Sequence, residues 1–128
     1  MATREEKTAA IAVLERQARG KLRNCQDSLN EIKQAAKEFS ETDRSQLSCA
    51  VLEDLLVECR DVLTEINAYA GLIDELEAVG GSERVVSART EYVAGRGEVT
   101  GVKKTIKKLI GEVDQQRASS GGAASGGN

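Results

Sequence analysis

Apolar residues recur along most of the chain at steps of three and four, the spacing that keeps a stripe on one side of a helix. The clearest case is Leu47–Glu77, where Leu52, Leu56, Cys59, Leu63, Ile66, Ala70 and Ile73 follow one another at such steps. A second row, Leu55, Val62, Tyr69 and Leu76, repeats every seven residues and widens the stripe. Polar residues occupy much of the remaining surface: Glu53, Asp54, Glu58, Arg60, Asp61, Glu65, Asn67 and Asp74. An apolar arc this wide exceeds the seam of a two-stranded coiled coil and suits a helix packed against two neighbours. Leu52, Leu55, Leu56, Leu63, Ile66, Tyr69, Ile73 and Leu76 therefore form the candidate core or association face.

The flanks supply the neighbours. Thr3 and Glu6 fit a capping box, and a first helix is expected over about 4–39 with Ile11, Leu14, Ala18, Leu22, Cys25, Leu29, Ile32, Ala36 and Phe39 as its stripe. Leu14, Ala18 and Leu22 are separated by two successive steps of four, a stutter that relaxes left-handed supercoiling, and Gly20 in the same turn marks a weak point. Residues 40–43 read as a short loop, with Asp43 and Gln46 as a second capping pattern and the next helix over about 44–79. Gly80-Gly81 closes it, and Ser82 is the natural N-cap of a third helix over about 83–116. Val85, Ala88, Tyr92, Gly95, Val99, Val102, Ile106, Leu109 and Val113 make its stripe. Gly95, Gly97 and Gly101 fall close together and each costs up to about 1 kcal/mol in a helix interior. The register nevertheless holds across them, which favours one continuous helix over a break near Gly95-Arg96-Gly97. From Ala118 the sequence ASSGGAASGGN has nothing to bury and reads as a flexible tail over 118–128.

Short connections make successive helices antiparallel, so the expected fold is all-α: an up-down-up bundle of three long helices with coiled-coil-like packing over residues 1–117. Composition agrees. Among the 128 residues there is no Pro or Trp, a single Phe and two Tyr, while 40% are hydrophobic and 30% charged. That is the makeup of long aliphatic helices, and no period-two alternation persists long enough for a strand. Charge is unevenly spread. Residues 1–39 carry eight Lys/Arg and six Asp/Glu (net +2), residues 40–79 two and ten (net −8), and residues 82–117 eight and five (net +3). An acidic middle helix between basic ones favours intramolecular pairing.

Cysteine usage points to a reducing, intracellular and cytoplasmic setting, the nucleus included: Cys25, Cys49 and Cys59 form no paired framework. Cys25 and Cys59 sit on stripes as small hydrophobes, and with no His a zinc site lacks its usual ligands. The N-terminus is too charged for a secretory signal, and no run approaches the roughly 20 apolar residues of a membrane span. No catalytic, cofactor or metal residues are expected: the commonest general base is missing, and no nucleophile elbow, phosphate loop or dinucleotide fingerprint occurs. Adjacent acids such as Glu53-Asp54 and Asp74-Glu75 splay around a helix and form a solvated face.

The sharpest local feature is basic. Lys103, Lys104, Lys107 and Lys108 share one side of a helix whose other side carries Val102, Ile106, Leu109 and Val113. Such a face could meet nucleic-acid phosphates, an anionic surface or an acidic partner, or it could be an ordinary solvated face, or one turned to the acidic second helix. Lysines without Arg or interleaved aromatics, in an acidic chain, make nucleic acid the less favoured partner.

The layout, a basic leucine-spaced helix, then an acidic Leu-rich one, then Glu91-Tyr92 followed by Ile106, Leu109 and Ile110, resembles the N-terminal helical segment of Gag polyproteins from BEL/Pao-type retrotransposons. The resemblance spans roughly residues 10–110 and implies an assembly role. It carries over no binding residues and no zinc knuckle. The expected function is a non-enzymatic helical interaction, scaffold or self-assembly module whose partner is another protein or a second copy. Self-association is favoured because three thin aliphatic stripes bury little per residue. The alternative is nucleic-acid or anionic-surface binding through the Lys103–Lys108 face.

Overall fold

The computed structural model describes residues 3–126, the side chains of Ser82 and of residues 120–126 excepted. Three helices pack side by side: α1 (Arg4–Glu41), α2 (Cys49–Ala78) and α3 (Ser82–Gly126), with a 3₁₀ turn at Arg44–Gln46 between the first two. Each helix touches both others, so the architecture is an up-down-up bundle with α1 and α3 parallel.

Local chemistry sets the helix ends. Thr3 and Glu6 form the expected capping box: the Glu6 amide donates to Thr3 Oγ1 (3.1 Å) and the Thr3 amide to Glu6 Oε2 (3.2 Å). The α1–α2 connection differs from expectation. Asp43 caps only the 3₁₀ turn, accepting from the Ser45 amide at 3.0 Å. Ser48 instead caps α2, accepting from the Val51 amide at 3.3 Å, so α2 starts at Cys49 and not near residue 44. Both residues are sound caps; the turn between them carries Leu47 and Arg44 onto α3, and that docking sets the start.

At the other end α2 stops at Ala78. The Gly81 amide donates to the Leu76 carbonyl (2.8 Å) and the Gly80 amide to the Glu77 carbonyl (3.1 Å), the paired bonds of a Schellman closure. Gly80 supplies the left-handed residue with φ 87°. α3 begins at Ser82; the capping role expected of its side chain lies outside the described residues. The helix is continuous through Gly95, Gly97 and Gly101, as the register indicated. It also runs past the expected end near 116, into the segment read as a flexible tail, because the hydrogen bonds of a helix are local and need no buried face. Its last buried residue is Val113, and residues 114–119 are exposed. Gly127 and Asn128 lie outside the described residues.

The core runs the length of the bundle and is aliphatic. α2 contributes two complete rows, Leu52–Cys59–Ile66–Ile73 and Leu55–Val62–Tyr69–Leu76. α1 adds Ala18, Cys25, Leu29, Ile32 and Ala36, and α3 adds Val85, Ala88, Val99, Val102, Ile106, Leu109 and Val113. This assigns the α2 arc differently from the sequence pattern. Leu56, Leu63 and Ala70, placed on the main stripe, are only half-buried; the centre of the arc lies between the two fully buried rows, because α2 must meet α1 on one side and α3 on the other. On α1 the stutter leaves Leu14 and Leu22 half-buried around a buried Ala18, with the helix unbroken at Gly20. Small residues at Ala18, Ala88 and Gly95 also thin the α1–α3 seam, where grooves of about 140 and 410 Å³ open onto the ring of Tyr69.

Candidate functional site

Six of the eight residues proposed for the α2 face are consumed by the bundle itself. Leu52, Leu55, Ile66, Tyr69, Ile73 and Leu76 are each no more than 4% exposed and have no surface left to offer a partner. Leu56 and Leu63 remain half-covered on the side of α2 that faces α3. Further out, Val57 is 50% exposed, and on α3 Val86 and Val93 are 72% and 66% exposed. The outward side of α1 is by contrast polar over its central part, with Arg23, Asn24, Asp27, Asn30, Glu31, Gln34 and Lys37 exposed.

Contacts across the seams fix the register between helices. On the α2–α3 side Arg89 donates to Asp74 (3.1 Å) and to Glu77. Tyr92 Oη donates to the Asn67 side-chain oxygen (3.3 Å) while the Arg96 guanidinium lies 5.7 Å over the Tyr92 ring. At the far end of the same seam the Cys49 thiol donates to Asp114 (3.1 Å). On the parallel α1–α3 seam Lys33 pairs with Glu98 at 3.2 Å. These exposed pairs contribute little each; their information is geometric.

Arg44 ties all three segments together. Its Nη1 donates to the carbonyls of Phe39 (3.4 Å), Ser40 (3.2 Å) and Thr42 (2.7 Å), and its Nε donates to Glu112 on α3 (3.3 Å). A cation thus closes the C-terminal end of α1, where the carbonyls lack helical partners and the dipole is negative. The sequence pattern placed Arg44 at the start of the second helix; an arginine three residues past the end of α1 is the available signal.

The basic face is where the pattern placed it, on the outside. Lys104, Lys107 and Lys108 are exposed and Lys103 is half-buried. None of the four pairs with a carboxylate among the described residues. Lys103 leans toward α2, close enough for its charge to act on the Cys59 thiol. The other three do not turn to α2; they continue the outward side of α3. The α3 acids Glu98 and Glu112 are already engaged by Lys33 and Arg44, so the outer side of this part of α3 is left positive.

Two thiols belong to the core. Burial, the leading cause, pushes the Cys25 thiol up, with the Glu65 charge adding to it; burial likewise raises Cys59. Cys49, partly exposed, is raised mainly by its hydrogen bond to Asp114. Neutral, packed thiols act as small hydrophobes, not as nucleophiles.

Geometry defines the class: an antiparallel three-helix bundle with an aliphatic core and a charge-segregated outer surface on α2 and α3. No protein-family model, curated protein or solved structure matches the chain. No helix among the described residues is long and apolar enough to cross a membrane.

Proposed function

We propose that the chain is a non-enzymatic helical interaction module, a coiled-coil-type scaffold that associates with itself. The observation that carries this reading is the apolar surface left over on α2 and α3 once the core is complete: Leu56 and Leu63 half-covered, Val57, Val86 and Val93 exposed. Such residues in addition to a full core are what an association surface needs. The three free thiols suit a reducing, cytoplasmic setting. The resemblance of residues 10–110 to the Gag helical segment points the same way. Light scattering over a concentration series tests it. The mass should climb above the 13.7 kDa of one chain, and a mass fixed at that value throughout would defeat the reading.

A second reading has one observation in its favour: the four lysines of α3, which pair with no carboxylate among the described residues, could hold a polyanion. Fluorescence anisotropy with a labelled oligonucleotide tests this. Binding that weakens steeply with salt and disappears on charge reversal of the lysines supports it, and unchanged anisotropy with the wild-type chain removes it.

A further inference from the structure

We propose that the outer face shared by α2 and α3 is a self-complementary dimer surface, in which the acidic side of α2 lies against the lysine face of α3 on a second copy. This rests on the self-association reading above and adds the surface, the symmetry and the relative direction of the two chains.

The argument starts from register. Arg89 meets Glu77 across the α2–α3 seam. Steps of seven residues from there, down one helix and up the other, set Arg96 opposite Ala70, Lys103 opposite Leu63, Ile110 opposite Leu56, and Arg117 opposite Cys49. The observed contact of Cys49 with Asp114, one turn before Arg117, closes the series. The lysines 103–108 therefore stand at the same height along the bundle as the α2 segment from Glu58 to Leu63, with Asp54 and Glu53 about one turn beyond it.

The acids in and just beyond that segment are unengaged. Glu53, Asp54 and Asp61 are exposed and in no ion pair among the described residues, with Arg60 the one base among them. Opposite charges within about a turn of each other in height on adjacent helices have a specific consequence. A two-fold axis parallel to the helices and running along the α2–α3 seam places α2 of each copy over α3 of the other with no axial shift. Acids of one copy then meet lysines of its partner, twice, around the half-covered Leu56, Leu63 and Ile110. A two-fold perpendicular to the helices would instead set acid on acid and lysine on lysine.

The other half of the face matches by shape. The exposed Val93 and Val86 stand close to the heights of Gly71 and Ala78, small exposed residues on α2. The same axis therefore brings apolar side chains of one copy over the lowest part of the partner helix, and nothing lies within 4 Å of a Cβ added at Gly71. Area suffices as well. At 30 residues α2 is about 45 Å long, and two helices are about 20 Å across. The face approaches roughly 900 Å² in extent, against the ~800 Å² per partner of a standard interface.

The test is a charge swap read by sedimentation equilibrium on the full chain. One variant carries Lys104→Glu, Lys107→Glu and Lys108→Glu; the other carries Glu53→Lys, Asp54→Lys and Asp61→Lys. Each variant alone should dimerise at least about tenfold more weakly than wild type, since opposite charges become like charges. An equimolar mixture should recover the dimer, because each altered face then meets its new complement. Val86→Arg with Val93→Arg, at exposed positions the fold does not use, should weaken the dimer without any change in the long charged half, so the proposal stays testable if a triple variant folds poorly. A wild-type dimer left unchanged in all three variants refutes this face while leaving self-association standing. A wild-type monomer at every concentration refutes both. Lysines that prove to hold an oligonucleotide on a chain that stays monomeric overturn the proposal in favour of a polyanion.

Discussion

Replacing Gly97 and Gly101 by alanine should make the protein more stable, and the sign is the informative part. Both glycines lie inside α3, and a Cβ built on either meets no atom within 4 Å. The substitution therefore adds no clash and removes the excess backbone freedom of glycine in the unfolded chain, a gain of up to about 1 kcal/mol at each site. The two sites together should contribute about 1–2 kcal/mol, which for a chain between the small and mid-sized classes is about 3–8 °C in Tm. Gly95 is a tighter case: its added Cβ would sit 3.5 Å from Ile66 Cδ1, ordinary contact, so Gly95→Ala should be neutral to stabilising. Thermal melts followed by circular dichroism at 222 nm measure all three, at one fixed low protein concentration because association also shifts Tm. A break near Gly95-Arg96-Gly97 with a left-handed glycine would reverse the sign, since alanine there costs about 1–2 kcal/mol. A fall in Tm on Gly97→Ala or Gly101→Ala would refute the continuous helix. Gly80→Ala is the control of opposite sign: φ is 87° there, and about 1 kcal/mol should be lost.

Arg44→Ala should cost about 1–2 kcal/mol in urea denaturation, chiefly from uncapped carbonyls at the end of α1; the ion pair adds little because Arg44 and Glu112 are 28% and 33% exposed. A loss below about 0.5 kcal/mol would mean water replaces the guanidinium at no cost. Ile106→Ala, at a side chain with 0% exposure, should cost about 2–5 kcal/mol, whereas Leu56→Ala should cost clearly less; equal losses would contradict the assignment of the α2 rows. Native thiol titration with a chromogenic disulfide should find Cys49 reactive and Cys25 and Cys59 protected until the chain unfolds, and fast reaction of all three would contradict the buried thiols. Stability should also fall in alkali. The folded thiols of Cys25 and Cys59 titrate above their ordinary 9.0, so the unfolded chain loses protons first; their contribution is complete below that pH and is lost as pH rises through the folded values. Tyr69, raised by burial, acts in the same direction. A Tm that holds steady from neutral pH to beyond 10 would refute this.

What was legible in the sequence follows from how local each signal is. Helix identity, order and direction rest on three-four spacing and on glycine at Gly80-Gly81, all properties of neighbouring residues, and the structure keeps them. The start of α2 was not legible, because Asp43 and Ser48 are equally good caps and the choice between them is made by α3, through Arg44 and Glu112, 68 residues apart. The same limit explains the misassigned rows on α2. A wide apolar arc read alone has two equivalent centres, Leu56–Leu63–Ala70 or Leu55–Val62–Tyr69, and periodicity cannot choose between them. The narrow stripes of α1 and α3 choose, since each covers only the row it faces. Two complete rows are taken by two neighbours, and the third, half-covered, lies beside the α2–α3 seam. Charge obeys the same logic in reverse. Ion pairs at the seams use Glu98, Glu112, Asp74 and Glu77, leaving the outward charges of α2 and α3 unmatched among the described residues. The half-covered apolar row of α2 and the lysines of α3 thus lie beside the same seam, because the bundle satisfies its inner surfaces first.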